Sequence, residues 1–266
     1  MIGLVYFFAA LLGLCVGSFL NVLVYRLPNG INIALPRSHC PKCKYTLRWY
    51  DNIPVVSYLI LGGKCRSCRT RIPIRYTIVE IGNALLWVAS VAMFWNQSIP
   101  MACINAVALS ILLTMTCTDL EYLMVPDSLQ IALGVLAIAT LVLSATKVDT
   151  TVTWYSRAIG AAVFGFAFLV ISVIFEKKAG VESMGGGDIK LATVAGMLLG
   201  WERMLGAMLI ATIVGSVVLL IVRKTKKSEK HTQYPFVPFM VLGIVIMMFF
   251  GKFLIDGYMN LMTGWM

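Results

Sequence analysis

Two aspartates stand where long apolar runs begin or end. Asp119 closes one run, within CTDLEYLMVPD, and Asp188 follows Gly185-Gly186-Gly187 and precedes Ile189-Lys190. An ionisable group at membrane depth is costly, so each is a functional candidate. Two carboxylates that face one another at low dielectric cannot both ionise cheaply and would share one proton. The ionised partner would then take a proton from water while the protonated partner polarises a peptide carbonyl, the division of labour of an aspartic protease. The glycines before Asp188 leave room for a backbone to pass close by, so Gly185, Gly187 and Lys190 are expected to line a substrate cleft. Plainer readings stand beside these. Asp119 would mark a helix exit at the interface, and Asp188 and Asp127 would cap helix N-termini. A phosphate-binding turn is disfavoured, because no GxxxxGK[ST] occurs and an acid opens the helix.

A second cluster lies upstream. Cys40-Pro-Lys-Cys43 is followed 22 positions later by Cys65-Arg-Ser-Cys68. Two CxxC turns suit a tetrahedral zinc site with four thiolate ligands, structural because no position stays open for water. A redox role or unliganded thiols are the alternatives. Glu80, in RYTIVEIGN, is either an interfacial partner of Arg75 or Arg71 or a functional acid.

The elements that must position these groups are apolar. Hydrophobic residues are 59% of the 266, charged residues only 13%, and mean hydropathy is +0.86. That composition excludes a disordered chain and argues against an ordinary soluble enzyme. Apolar stretches fall roughly at 3–25, 76–95, 100–118, 128–145, 157–175, 189–201, 204–222 and 236–255. Most approach the ~20 residues that cross a bilayer core; the sixth is short. The expected fold is an all-α polytopic membrane protein of about eight transmembrane helices, with a small cytoplasmic zinc-binding domain between the first two. The first stretch lacks a basic leading segment, so it reads as a retained helix rather than a cleaved signal.

Charge gives an orientation. The net charge is +10, and residues 26–75 hold ten Lys or Arg against one acid, Asp51. With 26–75, 118–127, 176–190 and 223–230 inside, 18 basic residues face the cytoplasm and four, Lys147, Arg157, Arg203 and Lys252, lie outside. Both chain ends are then outside. The basic loops mark topology and meet anionic lipid heads; no nucleic-acid partner is expected.

Taken in order, the segments resemble the bacterial type IV prepilin leader peptidase/N-methyltransferase family, GxGD-type intramembrane aspartic proteases of pilus, type II secretion and DNA-uptake systems. The resemblance is carried by GSFLNV at 17–22, RSHCPKC at 37–43, LRWYDNIPVVSYLILGGKCRSC at 47–68, IPIRYTIVE at 72–80, TDLEYLMVPD at 118–127 and MGGGDIKL at 184–191. It implies Asp119 and Asp188 as the catalytic pair, and the GxGD pattern on Gly185, Gly187 and Asp188. It implies Cys40, Cys43, Cys65 and Cys68 as the zinc tetrad, and Asp127 as non-catalytic. It further implies removal of a basic leader from prepilins or pseudopilins at the cytoplasmic face of the inner membrane. N-methylation by S-adenosylmethionine would follow, with Glu80 as the methyltransferase acid. The corresponding division is a first helix at 1–25, a cytoplasmic zinc loop that is part of the methyltransferase region at 26–75, a second helix and short external loop at 76–100, a peptidase region at 101–256 and a tail at 257–266. Two departures stand out: Val125 where Ile or Leu is usual, and Val237 where many relatives have glycine. A leader peptidase without methyl transfer is the narrow alternative, and an ion-coupled transporter, which also places acids in its spans, is the broad one.

Overall fold

The computed structural model describes residues 2–149, 151–179, 185–225 and 234–263. The described chain is helical: α1 (Ile2–Arg26), α2 (Val56–Ile60), α3 (Arg75–Phe94), α4 (Ile99–Tyr122), α5 (Asp127–Ala145), α6 (Trp154–Ala179), α7 (Gly186–Leu199), α8 (Trp201–Thr225) and α9 (Val237–Thr263). Seven of them, all but α2 and α7, are long and apolar enough to cross a membrane. The expected sixth span is therefore a shorter object. α7 has 14 residues and ends at Gly200, whose φ of +84° admits the turn into α8. Several helices outrun their apolar runs: α6 reaches Ala179, and α9 continues through most of the expected tail to Thr263. In the basic segment 223–230, residues 226–230 lie outside the described residues, as does Met184 of the glycine motif.

The chain divides into two compact units, Met1–Thr114 and Met115–Met266, with the division inside α4. In the first unit α1 packs on α3 through glycine. A Cβ at Gly13 would lie 2.7 Å from the Ala84 Cα, and one at Gly17 2.7 Å from the Glu80 Cα. Small residues at such a crossing let backbones approach where lipid gives no hydrophobic drive for association. Polar side chains add to the packing. Asn83 donates to the Gly13 carbonyl at 2.7 Å and accepts from the Ser110 hydroxyl at 2.7 Å, and the Trp87 indole donates to Ser110 at 2.8 Å. At the end of α1, buried Arg26 donates to the carbonyls of Asn32, Ile33 and Pro36, tying down the start of the loop.

In the second unit α7 packs against α5, α6, α8 and α9. Leu191, Ala192 and Ala195 are fully buried, which explains why a short, Gly- and Ala-rich helix suffices: its surroundings are protein rather than lipid. The α6–α7 crossing is so close that a Cβ at Gly160 would lie 2.3 Å from the Gly196 carbonyl oxygen. The two ends of α7 are both anchored. Gln130, in the first turn of α5, donates to the Gly187 carbonyl at 2.9 Å. At the far end Arg157 donates to the carbonyls of Met197 and Leu198, which have no partner within the helix.

Arg157 is buried at the start of α6. It is 1% exposed, and it pairs with Asp149 at 2.5 Å while donating to Ser144 at 2.8 Å and Thr140 at 3.2 Å. Breaking a buried pair by removing one partner costs about 3–5 kcal/mol, because the other charge stays buried. Arg157→Met is therefore expected to lower the thermal midpoint in detergent sharply. An Arg157→Met/Asp149→Leu double variant is expected to be less destabilised than the two single losses combined, which a double-mutant cycle measures.

Candidate functional site

The motif around Asp119 folds as a helix end, a turn and a helix start. Thr118 and Asp119 lie in the last turns of α4, Leu123 leaves the helix at φ +52°, and Pro126 precedes α5. Asp119 is only 7% exposed, and its Oδ2 accepts a hydrogen bond from the Val237 backbone N–H at 3.0 Å. That N–H opens α9, where the first amides of a helix have no internal acceptor. Val237 itself is fully buried. The departure at position 237 thus sits at the backbone group that holds Asp119. Sequence alone gave no signal for this contact, since a backbone donor 118 residues away leaves no side-chain signature.

Asp188 lies in the first turn of α7 and makes no capping hydrogen bond. Its carboxyl group is within electrostatic reach of Asp119, so ionisation of one disfavours ionisation of the other. Asp127 is also in a first turn without capping it. Its carboxylate instead accepts from the Lys190 ammonium at 2.5 Å, on the surface. Both acids thus stand in a helix's first turn, where the dipole favours a negative charge, without the side-chain hydrogen bond of an N-cap. Lys190 is placed in that ion pair, beside the segment that carries Asp188. Of the glycines, Gly187 is the crowded one: a Cβ there would lie 3.2 Å from the Val125 Cβ, whereas one at Gly185 would meet nothing within 4 Å among the described residues. The close approach is between Gly187 and the Val125 turn.

The first unit holds the other candidates. The sulfurs of Cys40, Cys43, Cys65 and Cys68 all lie within 4.8 Å of one another, with Cys40–Cys68 at 3.8 Å and Cys43–Cys65 at 3.9 Å. A zinc–sulfur bond of about 2.3 Å in a tetrahedron gives sulfur–sulfur edges of about 3.8 Å, so the donor set fits a four-coordinate metal. Local hydrogen bonds favour a thiolate at two of the four, whereas at Cys43 the Tyr45 N–H is outweighed by burial and the neighbouring sulfurs, which push the thiol up. The Cys43 and Lys42 N–H groups hold Cys40 below the usual thiol range, and the Thr70 hydroxyl and N–H bring Cys68 down to about 6. Each pair sits in a repeated turn: Cys40 N–H donates to Tyr45 and Lys44 N–H to Cys40, while Cys65 N–H donates to Thr70 and Arg69 N–H to Cys65. Lys44 and Arg69 take matching left-handed φ of +60° and +57°.

Between the cysteine turns, Asp51 is buried beneath Arg66, whose Nε donates to it at 2.6 Å, with Tyr45 and the Arg48 N–H completing the set. Burial opposes its charge, but these donors outweigh it and hold the carboxyl below the usual range. Glu80 points to this same loop. It accepts from the Val55 backbone N–H at 2.8 Å and from the Ser18 hydroxyl. Beside them is an open cleft of about 430 Å³ lined by Arg37, Ser38, Leu47, Arg48, Trp49, Tyr50 and Asn52.

Residues 11–94 match the family described as the bacterial peptidase A24 N-terminal domain, and residues 106–220 match the type IV leader peptidase family. A prepilin leader peptidase/N-methyltransferase of Pseudomonas aeruginosa is 33% identical, with 94% of this chain and 92% of the relative covered. One from Burkholderia pseudomallei is 33% identical over 92% and 85%, and one from Bacillus subtilis 32% over 95% and 97%. The chain belongs to the prepilin leader peptidase/N-methyltransferase family. No solved structure matches it. Membership supports a peptidase and methyltransferase type of activity acting on prepilin-like proteins at a membrane. The leader peptidase match contains both aspartates, and the N-terminal domain match contains the four cysteines and Glu80.

Proposed function

We propose that the chain is a membrane aspartic endopeptidase that removes the basic leader of type IV prepilins or pseudopilins, and then methylates the new N-terminus. The observation that supports the cleavage reading most directly is the pairing of Asp119 and Asp188. They lie at one end of the second unit, within electrostatic reach, with Asp119 held by the Val237 N–H. A hydrogen bond from a backbone N–H favours a carboxylate, so Asp119 is assigned the base that takes a proton from water. Asp188, uncapped and beside that charge, is assigned the acid that polarises the scissile carbonyl and then returns its proton to the leaving amine. Among the described residues a Cβ at Gly185 would meet nothing within 4 Å, and this is the side assigned to an extended peptide.

The cytoplasmic placement of this rim rests on charge. Four bases, Lys147, Arg157, Arg203 and Lys252, oppose the 18 of the inner segments. An apolar pilin helix in the bilayer with its basic leader in the cytoplasm would then present the junction to Asp119 and Asp188. Zinc in the four-cysteine site would close the loop module without taking part in hydrolysis.

For methyl transfer, S-adenosylmethionine supplies an electrophilic methyl group. The cleft beside Trp49 and Tyr50 offers aromatic faces for an adenine and guanidinium groups from Arg37 and Arg48 for a carboxylate. Glu80, tied to the loop through Val55, is assigned the acid that orients the new amine. The test is incubation of the purified chain with a precursor pilin in lipid, with and without S-adenosylmethionine, read by intact mass. Leader loss without the cofactor, and leader loss plus one methyl group with it, are the expected products. Glu80→Gln is expected to retain cleavage and lose methylation. Absence of leader loss in the unmodified protein overturns the reading.

A further inference from the structure

The short helix α2 is inside out for a segment in water. Val56, Leu59 and Ile60 follow i, i+3, i+4 spacing and form one face, at 47%, 69% and 75% exposure. The polar residue on the other side, Ser57, is buried and donates from its hydroxyl to the Tyr50 carbonyl at 2.7 Å. Residues this apolar, grouped this tightly on a small loop, need a covering.

The depth of α2 points to what covers it. Val55, the residue before α2, donates its N–H to Glu80. Glu80 is the sixth residue of α3, a 20-residue helix, about the length that spans a hydrocarbon core. At 1.5 Å per residue it lies about 7–8 Å along the axis from Arg75. That matches the ~5–10 Å to which an interfacial helix buries its apolar face. Charge agrees. From Ile53 to Arg75 there are five bases, Lys64, Arg66, Arg69, Arg71 and Arg75, and no acid. Trp49, four residues ahead of Ile53, is 81% exposed, an aromatic of the kind enriched at bilayer interfaces.

We propose that α2 is an interfacial anchor: Val56, Leu59 and Ile60 lie among the acyl chains of the adjoining leaflet, while the surrounding bases meet the phosphates of anionic lipids. Basic residues near an anionic surface then add to the apolar insertion. The anchor sets the height of the segment that carries the Val55–Glu80 contact. It stands apart from the catalytic assignment, since it concerns only where α2 lies.

The test places a photoreactive phenylalanine analogue at Leu59 or Ile60 in the full chain, reconstituted in vesicles of phosphatidylethanolamine and phosphatidylglycerol, with precursor pilin added. The expected product on illumination is a lipid adduct from both positions, enriched in phosphatidylglycerol over its share of the vesicle. A pilin adduct, a cross-link to a second copy, or recovery of unreacted protein quenched by water overturns the proposal. Hydroxyl-radical footprinting of the unmodified chain in the same vesicles gives an answer even if the analogue disturbs folding. Loss of labelling at Leu59 and Ile60 relative to exposed residues of the loop is expected, and labelling as strong as theirs overturns it. Neither readout depends on peptidase or methyltransferase activity, so failure here is distinguishable from failure of the functional reading.

Discussion

Asp188→Asn is expected to abolish leader removal while leaving a folded, zinc-containing protein. The substitution keeps shape and hydrogen-bonding capacity but removes the proton that Asp188 would deliver. General acid–base catalysis contributes typically ~10²–10⁴-fold, and residues that act as a unit lose nearly all of their joint effect when either is removed. Asp119→Asn is therefore expected to match Asp188→Asn rather than add to it, with each rate of cleavage down by about 10³-fold or more. Because Asp188 makes no capping hydrogen bond, the Asn variant has no helix cap to lose, and its thermal midpoint should change little. Asp119→Asn keeps an oxygen to accept from Val237. The measurement is precursor cleavage by intact mass beside the melting curve of each variant. A shared proton also predicts a bell-shaped dependence of cleavage on pH, one limb from each macroscopic ionisation, which collapses in either variant. Undiminished cleavage by either Asn variant sinks the pairing. An ion-coupled transporter would instead show flux that depends on these acids and no leader loss at any pH.

The second large effect belongs to the cysteine turns. Cys65→Ser is expected to release one zinc per chain and to unfold residues 26–75 locally, with the bundle left intact. Both turns are short, isolated ladders: His39 pairs with Thr46 and Lys64 with Arg71 as single bridges, and the described loop contains no longer strand. Such a module has too little apolar burial to stand alone. Metal binding to a site of this type carries apparent free energies of about 10–16 kcal/mol, which become folding free energy. Loss of one thiolate should therefore open the loop to protease at pH 7 while the helices keep their circular dichroism. Methylation is expected to fall to background, since Glu80 then loses its Val55 partner. Cleavage is expected to persist, because Asp119, Asp188 and Val237 all belong to the second unit. Zinc stoichiometry by atomic emission, limited proteolysis and the two product masses check these expectations together. A variant that keeps its zinc and its loop would show that the tetrad does not close the module.

The composition of the chain determined its class and its chemistry. Apolar runs near 20 residues have one cheap solution in lipid, the helix, because backbone groups must be satisfied within the segment. Cysteines three apart in each of two turns suit a metal, and the four sulfurs do come within 4.8 Å of one another. Acids in otherwise uncharged runs made Asp119, Asp188 and Glu80 candidates, because a charge is costly there. Tertiary packing decided the rest. A sixth run too short for a bilayer became α7, enclosed by four neighbours, and enclosure is invisible to a count of apolar residues. Arg157, which the sequence marked only as one base among four on the outer side, pairs with buried Asp149, since nothing in its local sequence distinguishes a solvated guanidinium from one that closes a helix end. The donor to Asp119 is a main-chain N–H from the far end of the sequence. Every non-proline residue carries such a group, so only the fold selects which one arrives.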